Sequence, residues 1–255
     1  MAISENELQL EKNQYKIFDP EGVRRAEQVH LHSEKVYVWE LPVRIFHWVN
    51  ALSIIILMIT GIYIGRPFIS ASIPEEAYYS YLMGWARYIH FFAAFVFTIN
   101  LGVRWYWVYK GNTYSKSNPL KKKFWTGLWE TIKYYLFLNN KKEHYIGHNP
   151  LAELSYWVFI GAGSIIMMLT GYYLLAEPRL DSFMGILFGW IPALFGGDSF
   201  SVRSWHHIVA WGFMVFMVVH VYMAFREDWL SKNGTMSSIF TGYKHESNHQ
   251  NGEKE

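Results

Sequence analysis

Residues Ser204 to Arg226 read SWHHIVAWGFMVFMVVHVYMAFR. The run is almost wholly apolar and long enough to cross a bilayer as one helix. It carries His206 and His207 near one end and His220 near the other. Histidine inside a membrane span is costly and marks function. His206 and His220 are 14 residues apart, about 40° short of four full turns and ~21 Å apart along a helix axis, so they share a face. His207 is 13 residues from His220 and about 140° away from it, on another face. The stretch therefore offers two imidazoles on one face at two depths, with His207 as a neighbour.

Three further spans are legible. They cover about 46–65, 87–109 and 154–175, and the fourth covers 204–226. Apolar residues make up 51% of the chain and aromatics 19%, yet the mean hydropathy is only +0.02, because apolar blocks alternate with charged ones. That alternation describes spans joined by wet loops. The expected architecture is an all-α integral membrane protein, a four-transmembrane-helix bundle over residues 44–226.

Residues 1–43 are polar and lack the apolar run of a secretory signal; His30 and His32 there read as a solvated tail. The loop 110–153 contains Lys121, Lys122 and Lys123. Within it, 124–138 places Trp125, Leu128, Trp129, Ile132 and Leu136 at helical spacing, which suits a helix lying in the interface or one packed on the soluble side. Residues 183–197 are apolar, but 15 residues with Pro192 and four glycines are too few to span; a re-entrant, surface-lying or partner-docking segment is expected. Gly161-Ala162-Gly163 lies inside an apolar run and reads as a helix-packing surface, not a nucleotide loop. Spans one and three share a T-G-x-Y ending, at Thr60–Tyr63 and Thr170–Tyr173, too short to establish a repeat. The tail 227–255 is charged, with His245 and His249 solvated.

Four spans put both termini on one side. Of 23 Lys and Arg residues, only Arg66, Arg87, Arg179 and Arg203 fall on the opposite side. The positive-inside rule places the termini and the loop 110–153 in the cytoplasm. His47 and His220 then share an inner level, and His90 and His206 an outer level.

Two facing imidazoles at each of two depths suit two b-type haems with bis-histidine ligation, stacked across the bilayer, in the pairs His47/His220 and His90/His206. Gly61 lies 14 residues after His47, at the outer level, where a missing side chain would let a porphyrin approach. Arg44 and Arg203 each precede a ligand candidate by three residues, and Arg104 follows His90 by 14. All three suit haem propionates, and all three also suit snorkelling interfacial cations. Histidines merely hydrogen-bonded at span ends are the alternative, and four in two matched layers argue against it. A zinc site needs three or four ligands at one depth, and a proton relay needs carboxylates within the spans. There is no cysteine, so thiolate-bound clusters, nickel and covalently attached haem are excluded. The net charge of +2 makes no case for a nucleic-acid partner.

The chain resembles the b-type cytochrome subunit of membrane-bound nickel–iron hydrogenases. The motifs that carry the resemblance are VRIFHWVNALSIIILMITGIYIG, RYIHF, GHNPLAELSY and SWHHIVAW…VVHVYMAF. Individually, the first and last are also similar to cytochrome subunits of formate dehydrogenases, the alternative within this class; a non-haem membrane scaffold or transporter is the alternative outside it. The resemblance implies four helices, two haem b groups on His47, His90, His206 and His220, and a multi-pass protein of the bacterial cytoplasmic (inner) membrane. It implies hydrogenase small (iron–sulfur) and large subunits on the outer face, within a larger oligomeric complex surrounded by lipid. It also implies quinone as substrate near the cytoplasmic face, with His148, Asn149 and Glu153 as candidates for that site. Asn149-Pro150 equally suits the start of a helix.

Overall fold

The computed structural model describes residues 33–69, 81–112, 122–136, 138, 150–231 and 234–247. Four helices are long and apolar enough to cross a membrane. The first is α1 (Leu41–Gly65), with a proline in its first turn, where no intrahelical N–H is needed. The second is α2 (Leu82–Lys110). After the short helix α3 (Lys122–Tyr135), the third span runs continuously from Pro150 to Arg179. It comprises α4 (Pro150–Tyr156), a π-helical turn (Trp157–Gly163), α5 (Ser164–Ala176) and a closing 3₁₀ turn. A small helix, α6 (Phe183–Phe188), leads to the fourth span, α7 (Ser199–Ser231). Each helix begins a few residues before its apolar run, and the prolines there, Pro42 and Pro150, stand in first turns, where proline is tolerated.

α7 starts where Asp198 caps it. The Asp198 carboxylate accepts from the Ser201 N–H at 2.8 Å and from the Ser201 hydroxyl at 2.9 Å. These two bonds hold the Asp198 carboxyl below its ordinary pKa.

One buried side chain from each span meets at the centre of the bundle: Phe46, Leu101, Ile160 and Phe213. Phe213 lies seven residues from both His206 and His220, so this plug separates two levels. A glycine permits the contact, since a Cβ on Gly163 would come within 3.2 Å of the Phe213 ring. The outward faces of the spans carry exposed Ile, Val, Phe and Trp side chains, as lipid-facing surfaces do. The π-turn falls beside this plug and shifts the helix phase between Tyr156 and Ser164.

Two regions differ from the sequence expectation. β1 (Ser33–Tyr37) pairs antiparallel with β2 (Tyr243–Ser247), joining the segments that precede and follow the bundle. Both segments therefore meet at one end of it. Below the ribbon, Val38, Trp39 and Val43 form a small core, and Trp39 Nε1 donates to Ser238 Oγ at 3.1 Å. The charged tail is helical as well. α7 continues to Ser231, and α8 (Thr235–Thr241) follows Gly234, whose φ of 73° suits glycine. His245 is exposed on β2, whereas His30, His32 and His249 lie outside the described residues.

The segment 183–197 lies across one end of the bundle without spanning it. Ile191 is fully buried against Tyr173 and Val202, while Phe183, Ile186 and Trp190 stay exposed. α3 divides its apolar residues. Phe124 and Leu128 are buried, and Trp125, Trp129 and Leu136 are exposed. The Arg226 guanidinium lies over the Tyr134 and Tyr135 rings at 6.0 and 5.3 Å, tying α7 to the end of α3.

Candidate cofactor site

The structure brings the expected histidines together in pairs. His47 on α1 and His220 on α7 face one another with ring centroids 6.2 Å apart. A metal–imidazole bond of about 2 Å on each side of one ion puts ring centres about 6 Å apart, so this spacing suits two axial ligands on one iron. Phe216, one turn back on α7, stacks on His220 at 5.6 Å, and Phe159 stacks on Phe216 at 4.6 Å. The Nδ1 atom of His47 is buried and has no hydrogen-bond partner. So are Nε of Arg44, Oδ1 of Asn50 and Nη1 of Arg226, on the same two helices. Buried polar atoms left this way are expensive unless something meets them. Carboxylates fit the unmet guanidinium atoms, and a haem would bring both carboxylates and a metal for the facing imidazoles.

The other level is built differently. Thr60 Oγ1 donates to the Ile56 carbonyl at 2.6 Å and contacts His90 Nδ1 at 2.9 Å. Thr170 Oγ1 donates to the Ile166 carbonyl at 2.7 Å and contacts His206 Nδ1 at 2.8 Å. A glycine follows each threonine. A Cβ at Gly61 would come within 3.4 Å of His90 Cε1, and one at Gly171 within 3.2 Å of His206 Cε1. Each imidazole thus lies in a Thr-Gly cradle on the preceding span. His206 lies within electrostatic reach of His90. His207 is exposed, its ring beside Gly65.

The remaining candidates separate. Gly61 lies against the ring of His90. Arg44 Nη1 donates to the Phe240 carbonyl. Arg104 is buried; its Nε donates to Tyr156 Oη at 2.9 Å, and its guanidinium lies 5.7 Å from the Phe46 ring centre. Arg203 pairs with Glu177 at 2.9 Å at the protein surface. Glu153 is half-buried on α4, and His148 and Asn149 lie outside the described residues. Among the described residues, no cluster of three or more His, Cys, Asp or Glu side chains could hold a metal ion.

Sequence reasoning missed Thr60, Thr170, Gly171, Asn50 and Arg226. A signal existed for the first three. The repeated T-G-x-Y of spans one and three is the pair of cradles, written twice.

Four apolar spans enclosing paired histidines define a membrane b-type cytochrome, and the comparisons with known proteins agree. Residues 38–242 match the model of the prokaryotic cytochrome b561 family, and the chain belongs to that family. A protein of Azotobacter vinelandii named "Probable Ni/Fe-hydrogenase B-type cytochrome subunit" is 42% identical over 214 residues, covering 82% of this chain and 88% of that one. One of Cupriavidus necator with the same name is 39% identical over 213 residues, covering 82% and 86%. One of Escherichia coli K12, named "Probable Ni/Fe-hydrogenase 1 B-type cytochrome subunit", is 39% identical over 215 residues, covering 82% and 90%. A b-type cytochrome carries haem b.

Proposed function

We propose that this chain is the membrane anchor of a nickel–iron hydrogenase, a di-haem cytochrome that carries electrons from hydrogen oxidation to the quinone pool. The observation that carries the reading is the pairing of four histidines at two depths, one pair 6.2 Å apart. The names of the relatives supply the donor complex. Two low-spin haems would take electrons one at a time at the outer level and pass them to the inner level. His90 and His206 hold the outer group and His47 and His220 the inner one. Each imidazole binds in its neutral form, which also lowers the cost of its burial.

Arg44 and Arg226 supply positive charge at the inner level and would hold the carboxylates of a haem bound there. That level, with the β1–β2 ribbon, lies on the cytoplasmic side of the inner membrane in this reading, which the charge bias supports. Quinone takes up two electrons and two protons there, near the start of α4, where Glu153 lies and where His148 and Asn149 precede Pro150 in the sequence. Hydrogen is split elsewhere, on the iron–sulfur and large subunits of the complex.

Two measurements test this reading. Purification of the tagged chain from its own membranes should bring down an iron–sulfur subunit and a nickel-bearing subunit; recovery of a different dehydrogenase refutes the donor. His220→Ala should abolish quinone reduction and leave hydrogen oxidation with an artificial acceptor intact. Full quinone reduction in that variant refutes the inner step.

A further inference from the structure

The two levels differ in what stands behind the ligands. At the outer level, each threonine hydroxyl has one hydrogen, and in both cases it goes to a carbonyl one turn back, Ile56 for Thr60 and Ile166 for Thr170. A carbonyl can only accept. With that hydrogen on the carbonyl, the contacts of 2.9 and 2.8 Å to His90 and His206 have the ring nitrogen as donor, which is also the form an imidazole needs to bind a metal through Nε2. An imidazole with hydrogen on Nδ1 leaves its Nε2 lone pair free to bind a metal. At the inner level, Nδ1 of His47 has no such acceptor among the described residues.

We propose that Thr60 and Thr170 are positioning residues that fix the tautomer of both outer ligands and lower the reduction potential of the outer haem relative to the inner one. The inference rests on the di-haem reading above. An imidazole that donates from Nδ1 is a stronger electron donor through Nε2, and outer-shell acceptors of this kind tune bound metals. Stronger donation favours ferric over ferrous iron, so the doubly supported haem becomes the weaker oxidant. The drop in energy then runs from the outer level to the inner one, the direction in which electrons from an outer donor must move. The repeated Thr-Gly pair performs one task in two hairpins. α1 supports the ligand on α2, and the third span supports the ligand on α7. The glycine lets the ring approach and the threonine orients it.

The test is a potentiometric titration of the purified full chain, with optical and electron paramagnetic resonance detection. It compares wild type with Thr60→Val, Thr170→Val, Thr60→Ser and Thr170→Ser. Valine keeps the shape of threonine and removes the acceptor, whereas serine keeps the hydroxyl. Each valine variant should raise the midpoint of one haem by about a tenfold change in its ferrous-to-ferric ratio, 59 mV for a one-electron couple, and leave the other haem unmoved. Each serine variant should titrate like wild type. Valine variants that titrate like wild type overturn the proposal, as do serine variants that shift with them. Where valine costs the haem altogether, serine decides: a retained haem at the wild-type midpoint supports the proposal, and a lost haem overturns it. A wild type without two haems, or one in which His90→Ala and His206→Ala remove different haems, sinks the di-haem reading itself before any threonine is changed.

Discussion

The two ends of this bundle, outer and inner in the proposed reading, present paired histidines in different settings. At the outer end, each histidine ring contacts a threonine hydroxyl and lies against a glycine on the preceding span. At the inner end, His47, Arg44, Asn50 and Arg226 each leave a buried polar atom without a protein partner. At one end the protein supplies a hydrogen-bond partner behind each ring, and at the other it leaves polar atoms unmet. In the proposed reading, ligand identity settles which metal group a level can take, and the surroundings settle how that level behaves. Between the ends, the plug of Phe46, Leu101, Ile160 and Phe213 keeps the levels apart.

The contrast can be broken from the middle. Phe213→Ala removes the plug's contribution from α7 and should cost about 3 kcal/mol through the cavity it leaves. Because Phe213 is shared, both haems should be lost at the same lower temperature in a melt followed at the Soret band. Loss of one haem well before the other would show that the levels are not coupled through this contact.

The glycines sharpen the difference within the outer level. Gly171→Ala places a methyl group 3.2 Å from His206 Cε1, closer than van der Waals contact allows. It should cost about 1–3 kcal/mol as overpacking, read as weaker retention of one haem. Gly61→Ala meets His90 at 3.4 Å, and the gain of about 0.5–1 kcal/mol from replacing a helical glycine opposes the cost. Retention should therefore be close to wild type. Equal effects in the two variants would deny that the ring approaches matter.

Smaller effects are expected at the periphery. Trp39→Phe removes the bond to Ser238 beneath the β1–β2 ribbon and should cost about 1 kcal/mol, seen as faster proteolysis of the termini with both haem spectra unchanged. Arg203→Gln breaks an ion pair with Glu177 whose arginine side chain is 52% exposed, worth at most about 1 kcal/mol after solvent screening. Because Arg203 is engaged with Glu177, the outer midpoint should stay put. A clear shift would mean that Arg203 serves the haem after all.

The four spans were legible because an apolar run of about 20 residues has few other uses. The facing of His47 and His220 was legible because a 14-residue interval on one helix fixes both face and depth. Thr60 and Thr170 were not. Each acts on a partner 30 or 36 residues away, across a helix contact that has no local periodicity. The β1–β2 ribbon was missed for the same reason. Its strands come from opposite ends of the described chain, and a polar five-residue segment shows no pattern until its partner is known. Arg203 illustrates a third case. Its position relative to His206 was readable, but the Glu177 carboxylate that engages it arrives from the turn that closes the third span.

The central claim is that one chain holds two haems on two separate histidine pairs. Haem per chain, measured on the purified wild type, on His206→Ala, on His220→Ala and on the double variant, tests it most directly. Two, one, one and none are expected, with different resonance signals surviving in the two single variants. A wild-type ratio of one or less, or single variants that lose the same signal, would contradict it.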